Sequence, residues 1–392
     1  MPRSFPDLGE SVEQVEPETF KQRLDDGEQF TMIDTRKPDE YAAWKISHPN
    51  LTILNIPFMQ FMDEDNEKPA STVPEEVPED VPEGQLIISC GKGLSSTFVA
   101  ELLTREGYDV LALTDGMEGW AEVYEQYSVP TNTADAEVIQ FHRPSSGCLA
   151  HLFVAGEEAA VVDPLRAFAD VYAEAAKAHG ATLKYAIDTH VHADHISGVR
   201  EVASDTDIEI VLPAGATDRG LAFDATLVED GETLPLGDLE ITAQALPGHT
   251  TEMMGFSFAG VLASGDTVFL DSVARTELED EDKARNAAST LWETIQKLEA
   301  LGDETIIAPT HADPATPPGD SHSFTATLGE LRGQLSVFDE SREEFVDRIT
   351  SNLGSQPTNY EEIIEINLGR DSADSEESFE LELGPNNCAV AD

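Results

Sequence analysis

The run Thr189-His190-Val191-His192-Ala193-Asp194-His195 constrains this chain more than any other stretch. Three imidazoles and a carboxylate crowd together there, and His249, Asp266 and His311 follow downstream. Neutral imidazoles and unpaired carboxylates brought into contact repel or stay unsatisfied unless a cation joins them. The fold must therefore gather these segments around a metal. His190 and His192 sit two apart after the apolar run Leu183–Ile187, so an extended backbone would project both to one side. Asp194 and His195 then fall in the turn into Ile196–Ala203, which reads as a helix start. The later members each follow a short apolar or β-rich segment: Pro247-Gly248-His249, Ser264-Gly265-Asp266 and Pro309-Thr310-His311. Strand ends are where rigid sites place their ligands. His48, His142, His151, His179 and His322 lack this context and are expected as ordinary surface or core residues.

From about Val138 to about Gly369 this order resembles the metallo-β-lactamase superfamily, which implies a four-layer αβ/βα sandwich with metals at one edge of its two sheets. Within that superfamily the Thr-His-x-His-Ala-Asp-His run, Pro-Gly-His-Thr and Gly265-Asp266-Thr267-Val268-Phe269…Arg275-Thr276 resemble persulfide dioxygenases more than thioester hydrolases. The resemblance implies one Fe(II) per chain, held by His190, His249 and Asp266. Two imidazoles and one carboxylate leave open positions for a substrate sulfur and for dioxygen. The resemblance casts His192, Asp194, His195 and His311 as a second metal position or as residues surrounding the first, and Arg275 as part of the active-site wall or a partner for a substrate carboxylate. Ala274 stands where these dioxygenases usually carry Gly, and Ala312-Asp313 stand where an aromatic is usual nearby.

A second chemistry occupies Glu10 to about Val129. Leu86-Ile87-Ile88-Ser89 reads as a buried strand running into Cys90-Gly91-Lys92-Gly93-Leu94-Ser95-Ser96, and Phe98, Val99, Leu102 and Leu103 follow with helical spacing up to Gly107. A Cys in a Gly-rich loop before a helix faces backbone N–H groups and the positive end of the helix, a cradle suited to an anionic sulfur. Lys92 adds to that field. With Ile33-Asp34-Thr35-Arg36…Glu40-Tyr41 before it and Asp115-Gly116-Met117-Glu118-Gly119-Trp120 after it, this half resembles a single rhodanese domain. The resemblance implies that Cys90 accepts sulfane sulfur and passes it on. Ser95 stands where many such loops carry Arg, which favours transfer from a persulfide over thiosulfate.

At 392 residues the chain exceeds what one core normally serves. The expected class is α/β, with a rhodanese-like α/β domain over 10–129, a metallo-β-lactamase-like domain over 135–370, and an acidic C-terminal tail over 371–392. Ser128 to Ala134 breaks all periodicity and marks the boundary, while Asp63 to Gly84 reads as a long solvated loop. Acidic residues number 77 against 23 basic ones, a formal net charge of −54. Nucleic acid is excluded as a partner, because a polyanion would be repelled. The acid is spread along the whole chain, which reads as solvation for a high-salt cytosol where salt screens the self-repulsion. The start Met1-Pro2-Arg3-Ser4-Phe5-Pro6-Asp7 lacks the apolar core of a signal peptide, and no apolar run approaches spanning length, so a cytoplasmic protein without membrane contact is expected. Cys90, Cys148 and Cys388 are too few for a disulfide framework. Cys148 is expected to pack rather than react.

The expected function is iron-dependent oxidation of a low-molecular-weight persulfide to sulfite and thiol, with Cys90 relaying sulfane sulfur. Family habit points to a homo-oligomer. One alternative is a glyoxalase II-type thioester hydrolase using two zinc-like divalent metals; another is a non-catalytic persulfide carrier or sensor.

Overall fold

The computed structural model describes residues 8–391 apart from 64–67, 71, 79–84, 205, 280, 314–315, 317, 320–322, 354–355 and 385–386. The first seven residues, His322 and parts of the expected Asp63–Gly84 loop therefore lie outside the described residues. The chain divides into two units, Met1–Tyr124 with Arg143–Ser146, and Glu125–His142 with Gly147–Asp392.

The first unit is built on a wholly parallel sheet of β1 (Glu13–Val15), β2 (Phe30–Asp34), β3 (Leu51–Asn55), β4 (Leu86–Ser89) and β5 (Val110–Leu113), in the order β1-β5-β4-β2-β3. Strands β2 and β4 are buried along their whole length, as central strands covered on both faces must be. Helices α1 (Pro17–Asp25), α2 (Pro38–Ala43), α3 (Leu94–Arg105) and α4 (Gly116–Ala121) complete the unit. One face of the sheet packs Phe30, Met32 and Leu111 against Phe20, Leu24 and Trp120. The other packs Ile33, Leu86 and Ile88 against Phe98, Val99, Leu102 and Leu103, the stripe whose spacing predicts α3.

The second unit carries two sheets. The first contains β6 (Glu125–Val129), β7 (Glu137–Arg143), β8 (Cys148–Ala155), β9 (Glu158–Val162), β10 (Thr182–Ile187), β11 (Glu209–Pro213) and β12 (Thr226–Val228), side by side in sequence order. The second contains β13 (Thr233–Leu236), β14 (Leu239–Ala245), β15 (Met254–Phe258) and β16 (Val261–Gly265), then, past β17 (Ser272–Ala274), β18 (Ile306–Pro309) and β19 (Ala326–Thr327). Residues of the two inner faces form one core, with the rings of Phe153 and Phe258 stacked at 5.0 Å. Outside the first sheet lie α5 (Ala169–Ala178), whose Tyr172 meets Phe141 edge-on, and α6 (Val199–Val202). Outside the second lie α7 (Ala284–Leu298), α8 (Leu328–Gln334) and α9 (Arg342–Ser351), burying Leu291, Ile295, Phe345 and Ile349. These layers are the αβ/βα sandwich that the resemblance implies. Strand β6 already pairs with β7, Val129 opposite Val138. Among the described residues no helix is long and apolar enough to cross a membrane.

The segment after Gly369 is not the solvated tail its composition suggests. After α10 (Tyr360–Asn367) come α11 (Ser375–Leu381) and β20 (Ala389–Ala391), the latter pairing antiparallel with β17. Polar anchors hold it: Asp374 caps α11 by accepting from Glu377 N (3.0 Å), Glu382 Oε1 accepts from Ile196 N (2.7 Å), and Arg166 Nη1 donates to Ser378 Oγ (2.8 Å).

One core histidine carries a titration signature. Gln140 Oε1 accepts from Phe324 N (2.6 Å), so its Nε2 donates, both to Phe324 O (3.0 Å) and to His151 Nε2 (3.1 Å). The acceptor Nε2 is unprotonated, and burial holds the ring neutral, its pKa down to about 4. A pKa below the unfolded value gives stability that is complete above about pH 6.5 and drains away as pH falls through about 4, on the order of 3 kcal/mol in all. In His151→Gln, the stability lost between about pH 7 and about pH 4.5 should shrink by roughly 2–3 kcal/mol in denaturant titrations; superimposable pH profiles for variant and wild type would contradict this.

Candidate metal centre

The motif histidines stand just past a strand rather than on one. Strand β10 ends at Ile187 and residues 188–195 are irregular, bending at 189–190 and again at 193–195, so His190 and His192 do not share a strand face as an extended backbone would require. Their rings nonetheless lie 4.2 Å apart, and His190 meets His249 edge-on at 5.1 Å. Helix α6 begins only at Val199, because Ile196 and Ser197 donate their backbone N–H groups to Glu382 and Asn367 instead of entering a helix. Gly265 makes the turn before Asp266 at φ +56°, and a Cβ there would lie 2.9 Å from Thr189 Oγ1.

Hydrogen bonds fix which nitrogen of each ring is available. Thr189 Oγ1 donates to Asp163, so His190 Nδ1–H donates to Thr189 Oγ1 (2.9 Å) and the lone pair lies on Nε2. His249 Nδ1–H donates to Arg275 O (2.8 Å), again leaving Nε2. His192 Nε2–H donates to Asp163 Oδ1 (3.0 Å), leaving Nδ1. Those three nitrogens, with Asp266 Oδ2, Asp194 Oδ1 and His195 Nε2, are buried side-chain atoms with no hydrogen-bond partner. Such orphans cost free energy unless a cation takes them up. Asp266 Oδ2 lies 3.9 Å from His190 Nε2 and 3.6 Å from His249 Nε2, close to the roughly 3 Å that separates donors around one small divalent ion. The donor set fits a metal.

A second group gathers beside the first. Ligand atoms of Cys148, Asp194, His195 and His311 lie within 4.8 Å of one another. His311 bridges two carboxylates, Nδ1 to Asp266 Oδ1 (2.7 Å) and Nε2 to Asp194 Oδ2 (2.8 Å). Burial works against its charge, but the two carboxylates overcome that and raise its pKa well above the usual histidine value. His195 is raised in the same way, burial being outweighed by Asp194. His190 is driven the other way, first by burial and then by His192 and His249, and is neutral.

The guanidinium of Arg275 is engaged within the protein. It is buried, its Nε donates to Glu277 Oε1 (2.6 Å), its Nη2 pairs with the same oxygen, and Nη1 donates to Asn387 O (2.8 Å). Its charge is consumed internally, and its part at the site is the carbonyl that orients His249. Beside His249 opens a cavity of about 300 Å³ whose lining includes Thr250, Thr251, Thr276, Glu279 and Lys283.

In the first unit Cys90 directly follows β4 and is buried, its Sγ 3.3 Å from Ser96 Oγ. Met117 N donates to Cys90 O (2.8 Å) and Glu118 N to Gly91 O (3.0 Å), so the start of α4 holds the loop. Gly116, at φ +58°, is required there, since a Cβ would collide with Cys90's carbonyl oxygen. Lys92 points away to the surface, paired with Glu118 at 2.8 Å. Asp34 and Arg36 form a buried ion pair at 2.6 Å, and Arg36 Nη2 also donates to Trp44 O, which fixes the strand end.

Sequence reasoning missed three supports. Asp163, just past β9, accepts from Thr189 N (2.7 Å), Thr189 Oγ1, His192 Nε2 and Thr310 Oγ1 (2.9 Å). Burial would raise its pKa, but His192 and the donated hydrogen bonds more than reverse this and keep it ionised. Glu252 accepts from Val191 N (3.0 Å) and Arg219 Nη1 (2.7 Å), and Asn367 Nδ2 donates to the carbonyls of His192 and His195. Only Asp163 left a signal, an acidic residue and Pro closing the apolar run Ala159–Val162.

Two families match the chain: the metallo-beta-lactamase superfamily over residues 144–311 and the rhodanese-like domain over 16–123. Human mitochondrial persulfide dioxygenase ETHE1 is 30% identical over 204 residues, covering 50% of this chain and 72% of that protein. A hydroxyacylglutathione hydrolase of Rhodospirillum rubrum is 32% identical over 150 residues, 38% of this chain. The chain spans 55% of that hydrolase and 62% of the one from Methylococcus capsulatus. A crystal structure of ETHE1 from Myxococcus xanthus shares the fold with a TM-score of 0.51 at 22% identity, covering 59% of this chain and 98% of that one. Fold and relatives together define an enzyme class that binds divalent metal. The chain belongs to the metallo-β-lactamase superfamily and carries a rhodanese-like domain in its N-terminal half.

Asp163 provides a test of how the centre is built. Asp163→Ala leaves His192, Thr189 and Thr310 with unmatched buried donors, and should cost about 3–5 kcal/mol in denaturant unfolding and lower metal content after purification. Unchanged stability with full metal loading would show that the ligands are oriented without it.

Proposed function

We propose that the second unit oxidises the terminal sulfur of a low-molecular-weight persulfide, with Fe(II) held by His190, His249 and Asp266. The carrying observation is the convergence of three buried, unpartnered donor atoms, two imidazole and one carboxylate, in a set that leaves coordination positions open. The persulfide dioxygenase relative supports the same reading. Ferrous iron bound there supplies the electron chemistry that dioxygen needs to react with sulfur. The balance is one persulfide, one dioxygen and one water giving one thiol, one sulfite and two protons. Arg275 O keeps His249 Nε2 aimed inward and His311 holds Asp266 in place, while burial excludes bulk water. The cavity beside His249 admits the carrier thiol. In the first unit, the Cys90 thiolate attacks the outer sulfur of a donor persulfide, whose S–S bond breaks to release the donor thiol, and a carrier thiol then takes the same sulfur from the Cys90 persulfide and frees the Cys90 thiolate.

The assembled second donor group favours one further reading, thioester hydrolysis by two metal ions, which the hydroxyacylglutathione hydrolase relatives also support. Iron-loaded protein should consume oxygen and form sulfite on addition of a small-molecule persulfide, and Asp266→Ala should lower that rate by roughly 100-fold or more. Cys90→Ser should keep the oxidation and lose sulfur transfer. Absence of uptake by folded, iron-replete protein would move the assignment to thioester hydrolysis.

We also read the charge of −54 as adaptation to high salt, since the surface self-repulsion is tolerable only when screened. Dialysis from concentrated KCl into dilute buffer should abolish the far-ultraviolet circular dichroism of the folded state; a spectrum unchanged in dilute buffer would refute this.

A further inference from the structure

We propose that Glu279 and the hydroxyls around it form a subsite for a protonated amine, so that the thiol carrying the persulfide bears an ammonium group. This deepens the proposed function and rests on its reading of the cavity beside His249 as the carrier's place. That cavity, of about 300 Å³, lies at the small end of ligand sites and suits a molecule of amino-acid size. Its lining includes Thr250, Thr251, Thr276 and Thr290, whose hydroxyls donate and accept hydrogen bonds but carry no charge. One of them is unsatisfied: Thr250 is 4% exposed, and its Oγ1 is buried with no hydrogen-bond partner. A buried hydroxyl left in that state costs free energy, and a polar group on an occupant of the cavity would remove the cost.

Glu279 supplies the charge. Its Oε2 accepts from Thr251 N (2.7 Å) and its Oε1 from Thr251 Oγ1 (2.9 Å), so the carboxylate is tied to a residue two places beyond the ligand His249. Each oxygen keeps a further lone pair, and a carboxylate fixed in this way is ready to accept from the N–H groups of a cation. Glu279 also lines a second, wider cavity of about 660 Å³, together with Glu277, Glu361 and Glu365. Its surroundings are therefore acidic, even though Arg275 pairs with Glu277 and Arg370 with Glu365. In a chain of formal charge −54 the wider field has the same sign, which repels an anionic end group and attracts an ammonium. Lys283 lines the smaller cavity as well and is the cation to which a carrier's carboxylate would turn instead. The two residues are therefore tested against each other.

The probes are free cysteine and 3-mercaptopropionate, which is cysteine without its amino group. Binding of each to iron-loaded full-length protein is measured by anaerobic calorimetry in concentrated KCl. Wild type should bind cysteine roughly 5- to 10-fold more tightly, and Glu279→Gln, which keeps an acceptor for Thr251, should bring the two thiols within about twofold of each other. Comparing the ratio between wild type and variant cancels the different acidities of the two thiols. Lys283→Met should leave the wild-type ratio in place. An equal ratio in wild type and Glu279→Gln, a ratio that moves with Lys283→Met alone, or no binding of either thiol would each overturn the subsite. The titration uses neither dioxygen nor a persulfide. Oxygen uptake with sulfite formation by a protein that lacks the amine preference would thus remove the subsite and keep the dioxygenase reading, while the preference without uptake would do the reverse.

Discussion

The carboxylate of Asp163 is the constraint on which the metal centre depends. It is fully buried, and an ionised carboxylate in that position is tolerable only if nearly every lone pair is used. Thr189 N and Oγ1 come to it from beyond β10, His192 from the motif loop, and Thr310 from beyond β18 in the opposite sheet. One carboxylate thus joins the strand ends of both sheets at the edge where the ligands collect. It also sets two ring orientations, His192 directly and His190 through the Thr189 hydroxyl. Metal affinity and sheet-to-sheet registration are in this sense one interaction, since neither imidazole can turn without unpairing a buried donor.

The two groups of ligands differ in charge, and the difference follows from their neighbours. His190 and His249 face other imidazoles, the Arg275 carbonyl and a hydroxyl, and burial drives His190 towards its neutral form. His195 and His311 face Asp194 and Asp266, which hold them protonated against the cost of burial. Without a cation the second group balances its carboxylates with protons, and a metal ion arriving there displaces positive charge already in place. The first group has no such internal balance beyond Asp266, so its orphaned nitrogens are the part of the centre with most to gain from an ion.

Much of this arrangement was legible in the residues. The His-x-His-x-Asp-His run, Pro-Gly-His, Gly-Asp and Pro-Thr-His each mark a chain reversal at the end of an apolar segment, and the apolar spacing of Phe98, Val99, Leu102 and Leu103 identifies α3. What could not be read is the part held by polar contacts between distant segments. Asn367, Glu382 and Glu252 satisfy backbone groups of the motif loop from 170 or more residues downstream for the first two, and from the turn after His249 for the third. Such contacts leave no periodicity. The same blindness made the residues after Gly369 look like a solvated tail: their acidic composition conceals Ser378, Glu382 and Cys388, each buried for a polar or sulfur contact rather than as part of an apolar stripe.

Arg275 shows how such hidden contacts redistribute a residue's role. By resemblance it belongs to the substrate wall, yet Glu277 neutralises its guanidinium and no charge is left for a carboxylate from outside. Its remaining groups face two ways. The carbonyl accepts from His249 Nδ1, while the amide and one guanidinium nitrogen donate to the carbonyls of Cys388 and Asn387. The ring that presents Nε2 to the metal and the strand that brings Cys388 towards Asp266 and His311 are therefore anchored on the same backbone unit. Displacing β20 would unpair the buried Arg275 amide and loosen the support of His249 together, so the C-terminal strand bears on the geometry of the centre although it contributes none of the triad's three ligands.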